Sequence, residues 1–169
     1  GWDNGTAAMR QWLTARLGSN ASMIRISDGS GMSRNNRVSA RLFVQLLRTM
    51  YLDTKLRPTF VNSLAIGGVD GTLRKRFRPA LAGSVHGKSG YINGVCTLSG
   101  YLIYRNADTT IAAAEDVASS ADDHRVIAFS FLFNNIQPPV YVRKVRSVHE
   151  GLLRMIDRHT APKPARLGG

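Results

Sequence analysis

Apolar positions recur at helical spacing near the start of the chain. Ala7, Met9, Trp12, Leu13 and Leu17 form one stripe that Gly18 closes, with Asp3 placed to cap it, which predicts a helix over 3–17. Met23-Ile24-Arg25-Ile26 alternates instead, the mark of a short strand. The polar run Ser27-Asp28-Gly29-Ser30-Gly31 reads as a tight loop. Ser39 then precedes Leu42, Phe43, Leu46, Leu47 and Met50, apolar positions on one face of a helix over 40–52 whose first N–H groups the Ser39 hydroxyl can cap.

Between Pro58 and Pro79 the periodicity weakens. A short helix is expected around 59–64, turns at Gly67-Gly68 and Asp70-Gly71, and a second short helical piece carrying Arg74-Lys75-Arg76-Phe77-Arg78. Past Pro79 the pattern becomes that of strands, over 84–89 and 94–104. The polar, alanine-rich stretch 105–122 reads as a surface loop with one helical turn. A third strand, 125–133, is so continuously apolar that a central place in a sheet is expected, with more partners than the chain supplies. Pro138-Pro139 ends it, and Val142, Val145, Val148, Leu152, Leu153 and Ile156 mark a helix over 140–159. The pattern thus gives one domain over 1–160 of α+β class, an antiparallel sheet covered by helices, with 161–169 as a disordered tail.

Composition changes this picture little: 169 residues with 43% hydrophobic and 20% charged residues suit one globular domain with a core. No apolar run is long enough to cross a membrane as a helix, and the N-terminus has neither the basic nor the apolar region of a signal peptide. The lone Cys96 lies among apolar and small residues, as a buried structural thiol does. Charge adds more. A net charge of +12 attracts polyanions, and the cations are densest at 74–78 and at Arg143-Lys144-Val145-Arg146. Such runs ordinarily form solvated faces.

The candidate chemistry centres on Lys88-Ser89-Gly90. Ala82-Gly83-Ser84-Val85-His86-Gly87-Lys88-Ser89 has nearly the spacing of a nucleotide phosphate loop, but that loop needs a strand before it and a helix after it. Here a basic turn precedes, and Gly90-Tyr91-Ile92-Asn93-Gly94 leads into a strand. The other reading is the Lys-Ser/Thr-Gly box of penicillin-recognising serine enzymes, where the box lies on a strand edging the site.

Four segments in order carry a specific resemblance: Asp28-Gly29-Ser30-Gly31-Met32-Ser33-Arg34; Leu64-Ala65-Ile66-Gly67-Gly68 with Gly71-Thr72-Leu73; the box with Leu98-Ser99-Gly100-Tyr101 after it; and the apolar strand ending at Asn134-Asn135. Over about 2–157 the chain resembles the C-terminal part of class C low-molecular-mass penicillin-binding proteins, serine-type D-alanyl-D-alanine carboxypeptidases and endopeptidases. The resemblance implies a penicillin-binding transpeptidase fold and the peptidoglycan stem peptide as substrate. It implies acylation by β-lactams, no cofactor or metal, and a place in the periplasm or at the cell wall. By resemblance Lys88, Ser89 and Gly90 form the catalytic wall and the Tyr91 N–H the oxyanion donor. By the same resemblance Ser30, Met32, Arg34 and Asn93 bind substrate, with Met32 and Arg34 facing the pocket for its side chain.

Departures qualify this. Ser89 replaces the commoner threonine and keeps its hydroxyl, while Tyr91 replaces a small hydroxyl residue and brings a ring to the cleft. Ser33-Arg34-Asn35 mimics the family's second motif, but that motif belongs upstream; loop hydrogen bonding is the expected role of Ser33 and Asn35. The residues three before Lys55, Lys75, Lys88, Lys144 and Lys163 are Leu52, Thr72, Val85, Tyr141 and Thr160, so no Ser-x-x-Lys nucleophile is present. The chain alone is therefore expected to be inactive, with the missing N-terminal part of the same domain as its first partner. A non-catalytic remnant or basic module that contacts cell-wall polymer is the alternative. Nucleic acid is not an expected partner, because aromatic and basic residues do not interleave. His86, His124, His149 and His159 stand at no triad or metal spacing.

Overall fold

In the computed structural model residues 2–105 and 124–161 are described. Helix α1 spans Trp2–Leu17, so Asp3 lies inside its first turn rather than capping it. A 3-10 segment, Gly18–Met23, follows and takes up the start of the expected strand. What remains there is one bridge, Arg25 with Arg37, closed by two backbone hydrogen bonds of 3.0 and 2.9 Å. A strand needs a partner of its own length, and the loop between these residues returns too soon to supply one.

Helix α2, Ala40–Leu52, has the expected bounds, and the Ser39 hydroxyl accepts from the Leu42 N–H at 3.2 Å. Helix α3, Arg57–Asn62, begins earlier than its pattern suggests, because Pro58 suits a first turn where no N–H is needed. The two-residue strand β1, Ala65–Ile66, was not foreseen. The basic run is not helical: a 3-10 turn, Gly71–Leu73, ends before it. Buried Phe77 then takes a left-handed φ of 68°, which breaks any helix there.

Strands β2 (Val85–Ile92), β3 (Val95–Arg105) and β4 (His124–Phe133) complete an antiparallel sheet in the order β1-β2-β3-β4. Helix α4 spans Val142–Thr160. The loop expected over 105–122 lies outside the described residues from 106 on, and so does the tail from 162. Among the described residues no helix is long and apolar enough to cross a membrane.

The central place expected for the apolar strand is corrected. Among the described residues β4 is the last strand of the sheet, with its outer edge unpaired. Its apolar character comes from cover on both faces rather than from neighbours on both edges. On one face Tyr101 and Ile103 meet Leu47 of α2, Val61 of α3 and Leu64 just beyond it, with Val126 and Ala128 of β4 beside them. On the other, Val85, Leu98, Leu102 and Phe129 meet Leu73, Phe77, Leu81 and Leu153 of α4. Each such fully buried side chain contributes about 1.5–3 kcal/mol of transfer free energy. The buried Tyr101 hydroxyl donates to the Leu47 carbonyl at 2.7 Å, so α2 is fixed to the sheet by a polar contact as well. Cys96 is buried as expected.

Candidate active site

The Lys88-Ser89-Gly90 box occupies the outer half of β2. Short β1 pairs only with Gly87 and His86, so from Lys88 onward no strand covers that edge among the described residues. Val85 accepts from the Gly67 N–H at 2.8 Å on the β1 side. Backbone groups alternate along a strand, so Ser89 and Tyr91 turn their N–H and C=O toward the open edge. The same alternation sends Ser89 and Tyr91 side chains to one face and Lys88 and Gly90 to the other.

The Lys88 ammonium is exposed and donates to the Ser89 carbonyl at 2.7 Å, capping one outward acceptor. The Ser89 hydroxyl donates to the Thr72 hydroxyl at 2.9 Å. Neither partner is a base, so Ser89 has the surroundings of a binding hydroxyl and not of an activated nucleophile. The Tyr91 ring is 53% exposed beside the edge. Gly90 is crowded from its own sheet: a Cβ there would come within 2.5 Å of Thr97 Oγ1 on β3, so a side chain at that position must turn this hydroxyl aside. Ser99, opposite Lys88, shares a 2.9 Å hydrogen bond with Ser130 on β4, so the strand behind the box is tied to its neighbour.

The Asp28 loop reaches this hairpin. Asp28 accepts from the Ser30 hydroxyl at 2.7 Å, the Asn36 amide at 2.6 Å, and the Ser33 and Met32 N–H groups at 3.0 and 3.1 Å. These donors, the Ser30 hydroxyl foremost and then Asn36, hold its carboxyl down at about 2. With the loop so fixed, Arg34 donates through Nη2 to the Asn93 carbonyl at 2.6 Å, in the turn that joins β2 to β3. The structure therefore brings Arg34 and Asn93 together at one end of the box. Ser30 is spent on Asp28, and Met32 contributes its N–H to the same carboxylate while its side chain stays 66% exposed. The Ser33 hydroxyl accepts from the Asn35 N–H at 3.1 Å, the local loop role expected of that pair.

Three contributors were missed. Thr72 stands in the Gly-Thr-Leu segment, but only the tertiary fold carries it to Ser89. Thr97 crowds Gly90 through cross-strand register. Asp28 was legible, since an aspartate heading Gly-Ser-Gly commonly bonds the backbone ahead of it.

The D-Ala-D-Ala carboxypeptidase 3 (S13) family matches residues 1–154. A D-alanyl-D-alanine carboxypeptidase of an Actinomadura strain is 36% identical over 107 residues, which are 60% of this chain and 20% of that protein. The penicillin-sensitive carboxypeptidase A of Dictyostelium discoideum is 31% identical over 111 residues, 64% of this chain and 19% of that protein. This chain thus spans about a fifth of the curated relatives it matches. Penicillin binding protein 4 of Haemophilus influenzae, solved with a β-lactam, superposes with a TM-score of 0.68 at 22% identity, over 92% of this chain and 34% of that one, which is a likeness of fold. An antiparallel sheet with this box on its open edge, in a chain matched over nearly its whole length, belongs to the D-Ala-D-Ala carboxypeptidase 3 family.

Proposed function

We propose that this chain forms one wall of a serine-type D-alanyl-D-alanine carboxypeptidase or endopeptidase site, which acts on peptidoglycan stem peptides outside the cytoplasmic membrane and is acylated by β-lactams. The observation that carries the reading is the edge of β2 at Lys88-Ser89-Gly90-Tyr91, which no strand covers among the described residues. It offers a cation, a hydroxyl and an outward N–H within one strand length. A peptide laid along that edge as an added strand has its backbone hydrogen-bonded and its terminus beside the box.

In this reading a serine from a segment outside these residues attacks the carbonyl between the two D-alanines. The new oxyanion takes the Tyr91 N–H, while Lys88 and Ser89 hold the terminal carboxylate. The serine oxygen–carbon bond forms, the peptide C–N bond breaks, and D-alanine leaves carrying a proton. Water then cleaves the ester. Arg34 faces the substrate's side chain with Ser30, Met32 and Asn93 around it. The exposed Met9, Trp12, Met23 and Leu52, with the edge of β4 that no described strand covers, are the surfaces on which the rest of such a domain packs.

Labelled penicillin tests the reading. The denatured chain alone is expected to keep no label. Joined to a segment bearing the family's serine and lysine it is expected to keep label, with Lys88→Ala slowing acylation by at least about a hundredfold, the scale of lost electrostatic stabilisation. Label retained by the chain alone, or acylation indifferent to Lys88→Ala, overturns the proposal.

A further inference from the structure

On the face of the sheet that carries α4, a cleft of about 380 Å³ lies between the 71–76 turn and the first turns of that helix. Arg74, Lys75, Arg76, Arg143 and Arg146 line it, with Glu150 as the lone acid. Glu150 is already engaged by Arg76 Nε at 3.0 Å, and Arg76 Nη2 also donates to the Arg146 carbonyl at 3.3 Å, so the two walls are fastened together. Among the described residues no acid pairs with Arg74, Lys75, Arg143 or Arg146.

Four cations with no acidic partner among the described residues converge on one concavity and repel each other. The local charge is further unbalanced by the helix, which has no acidic residue in its first turn and no side chain capping it at Tyr141. The positive field reaches inward: His149, buried with neither ring nitrogen hydrogen-bonded, is held neutral down to about 4 by burial and then by Arg76 and Arg146. A single carboxylate neutralises one of these cations. Successive phosphates neutralise most of them and match the guanidinium fork through paired hydrogen bonds.

We propose that this cleft, whose lining includes no aromatic ring on which a base could stack, binds an anion carrying two or more phosphate groups in succession, from either a base-free phosphodiester polymer or a free oligophosphate. Thr72, which accepts from Ser89, lines the same cleft, so a chain held there lies beside the box. The site is independent of the acyl-transfer reading and stands or falls separately from it.

The test uses the chain as it is, titrated with poly(glycerol phosphate), tripolyphosphate and single-stranded DNA of matched phosphate count, at about 20 and about 150 mM salt. Two double variants are compared: Arg143→Glu with Arg146→Glu in the cleft, and Arg41→Glu with Arg48→Glu, exposed on α2 across the sheet. All four arginines are exposed, and thermal melts confirm that each variant folds. Binding that weakens with salt, falls at least about tenfold in the cleft variant and stays within about twofold in the α2 variant is the expected result. Tighter binding of the polymer identifies a polymer source, and tighter binding of tripolyphosphate a free one. Equal losses in both variants, no binding of either phosphate compound, or a clear preference for DNA overturns the proposal.

Discussion

Four donors converge on Asp28, and that one carboxylate decides the shape of the 28–37 loop. Its folded value of about 2 lies below the ordinary 3.8, so the loop's share of stability is complete above pH 3.8 and is lost as pH falls through 2. Asp28→Asn places an amide against the Ser33 and Met32 N–H groups. Tryptic cutting after Arg34 and Arg37 is then expected to accelerate at neutral pH while the far-ultraviolet spectrum holds; an unchanged rate shows that the loop is held by other means. Arg34 uses one of its five N–H donors on Asn93, which orients the fork and leaves the others free for a ligand. In a restored enzyme Arg34→Ala is expected to lower kcat/KM for peptides with a diaminopimelate carboxylate by about 1–3 kcal/mol and to leave penicillin acylation nearly unchanged. Arg34→Lys keeps the charge without the fork and restores only part. Equal losses on both substrates would reassign Arg34 to supporting the hairpin.

The elements differ sharply in what they tolerate, and two glycines expose the difference. Gly100 lies opposite Gly87 of β2: a Cβ there would fall on the His86 carbonyl oxygen and within 2.6 Å of Gly87 Cα. Both are backbone atoms that cannot rotate away, so Gly100→Ala must part the strands. It is expected to cost about 3 kcal/mol or more in a denaturant melt. Gly151 lies exposed in α4 with nothing within 4 Å of a Cβ, so the same change only removes unfolded-state freedom. Gly151→Ala is expected to stabilise by about 0.5–1 kcal/mol. Melts that rank the two variants the other way would refute this account of the hairpin.

For the molecule as a whole, pH dependence should be dominated by His149, packed against Phe131 and Phe133 with ring centroids 5.8 and 5.1 Å away. Its folded value, about 4, lies below the ordinary 6.5, so the unfolded chain takes up the proton first. Stability is therefore whole above pH 6.5 and falls as pH drops toward 4, by about 3 kcal/mol across the window. His149→Phe keeps the ring shape and removes both unpaired nitrogens. Its melting temperature is expected to vary little between those pH values, and a slope equal to that of the parent chain would exclude His149 as the cause.

Patterns within one element were readable without the fold. Ser39 caps α2 because its hydroxyl needs only a neighbour three residues on, and the 3.6-residue stripe of α4 and the β2–β3 hairpin are local in the same sense. The box, and the segments that tie it to its family, were legible because their residue types are ordered along the chain. What the chain order could not decide was who meets whom across it. Alternation at 23–26 says nothing of whether a partner strand exists. An apolar run such as β4 looks alike whether its edges or its faces are covered, because burial and not pairing sets composition. Thr72 at Ser89, Arg34 at Asn93 and the meeting of two basic runs in one cleft are contacts between residues 17, 59 and about 70 positions apart. Only the assembled sheet and the helix packed on it bring those groups within hydrogen-bond reach.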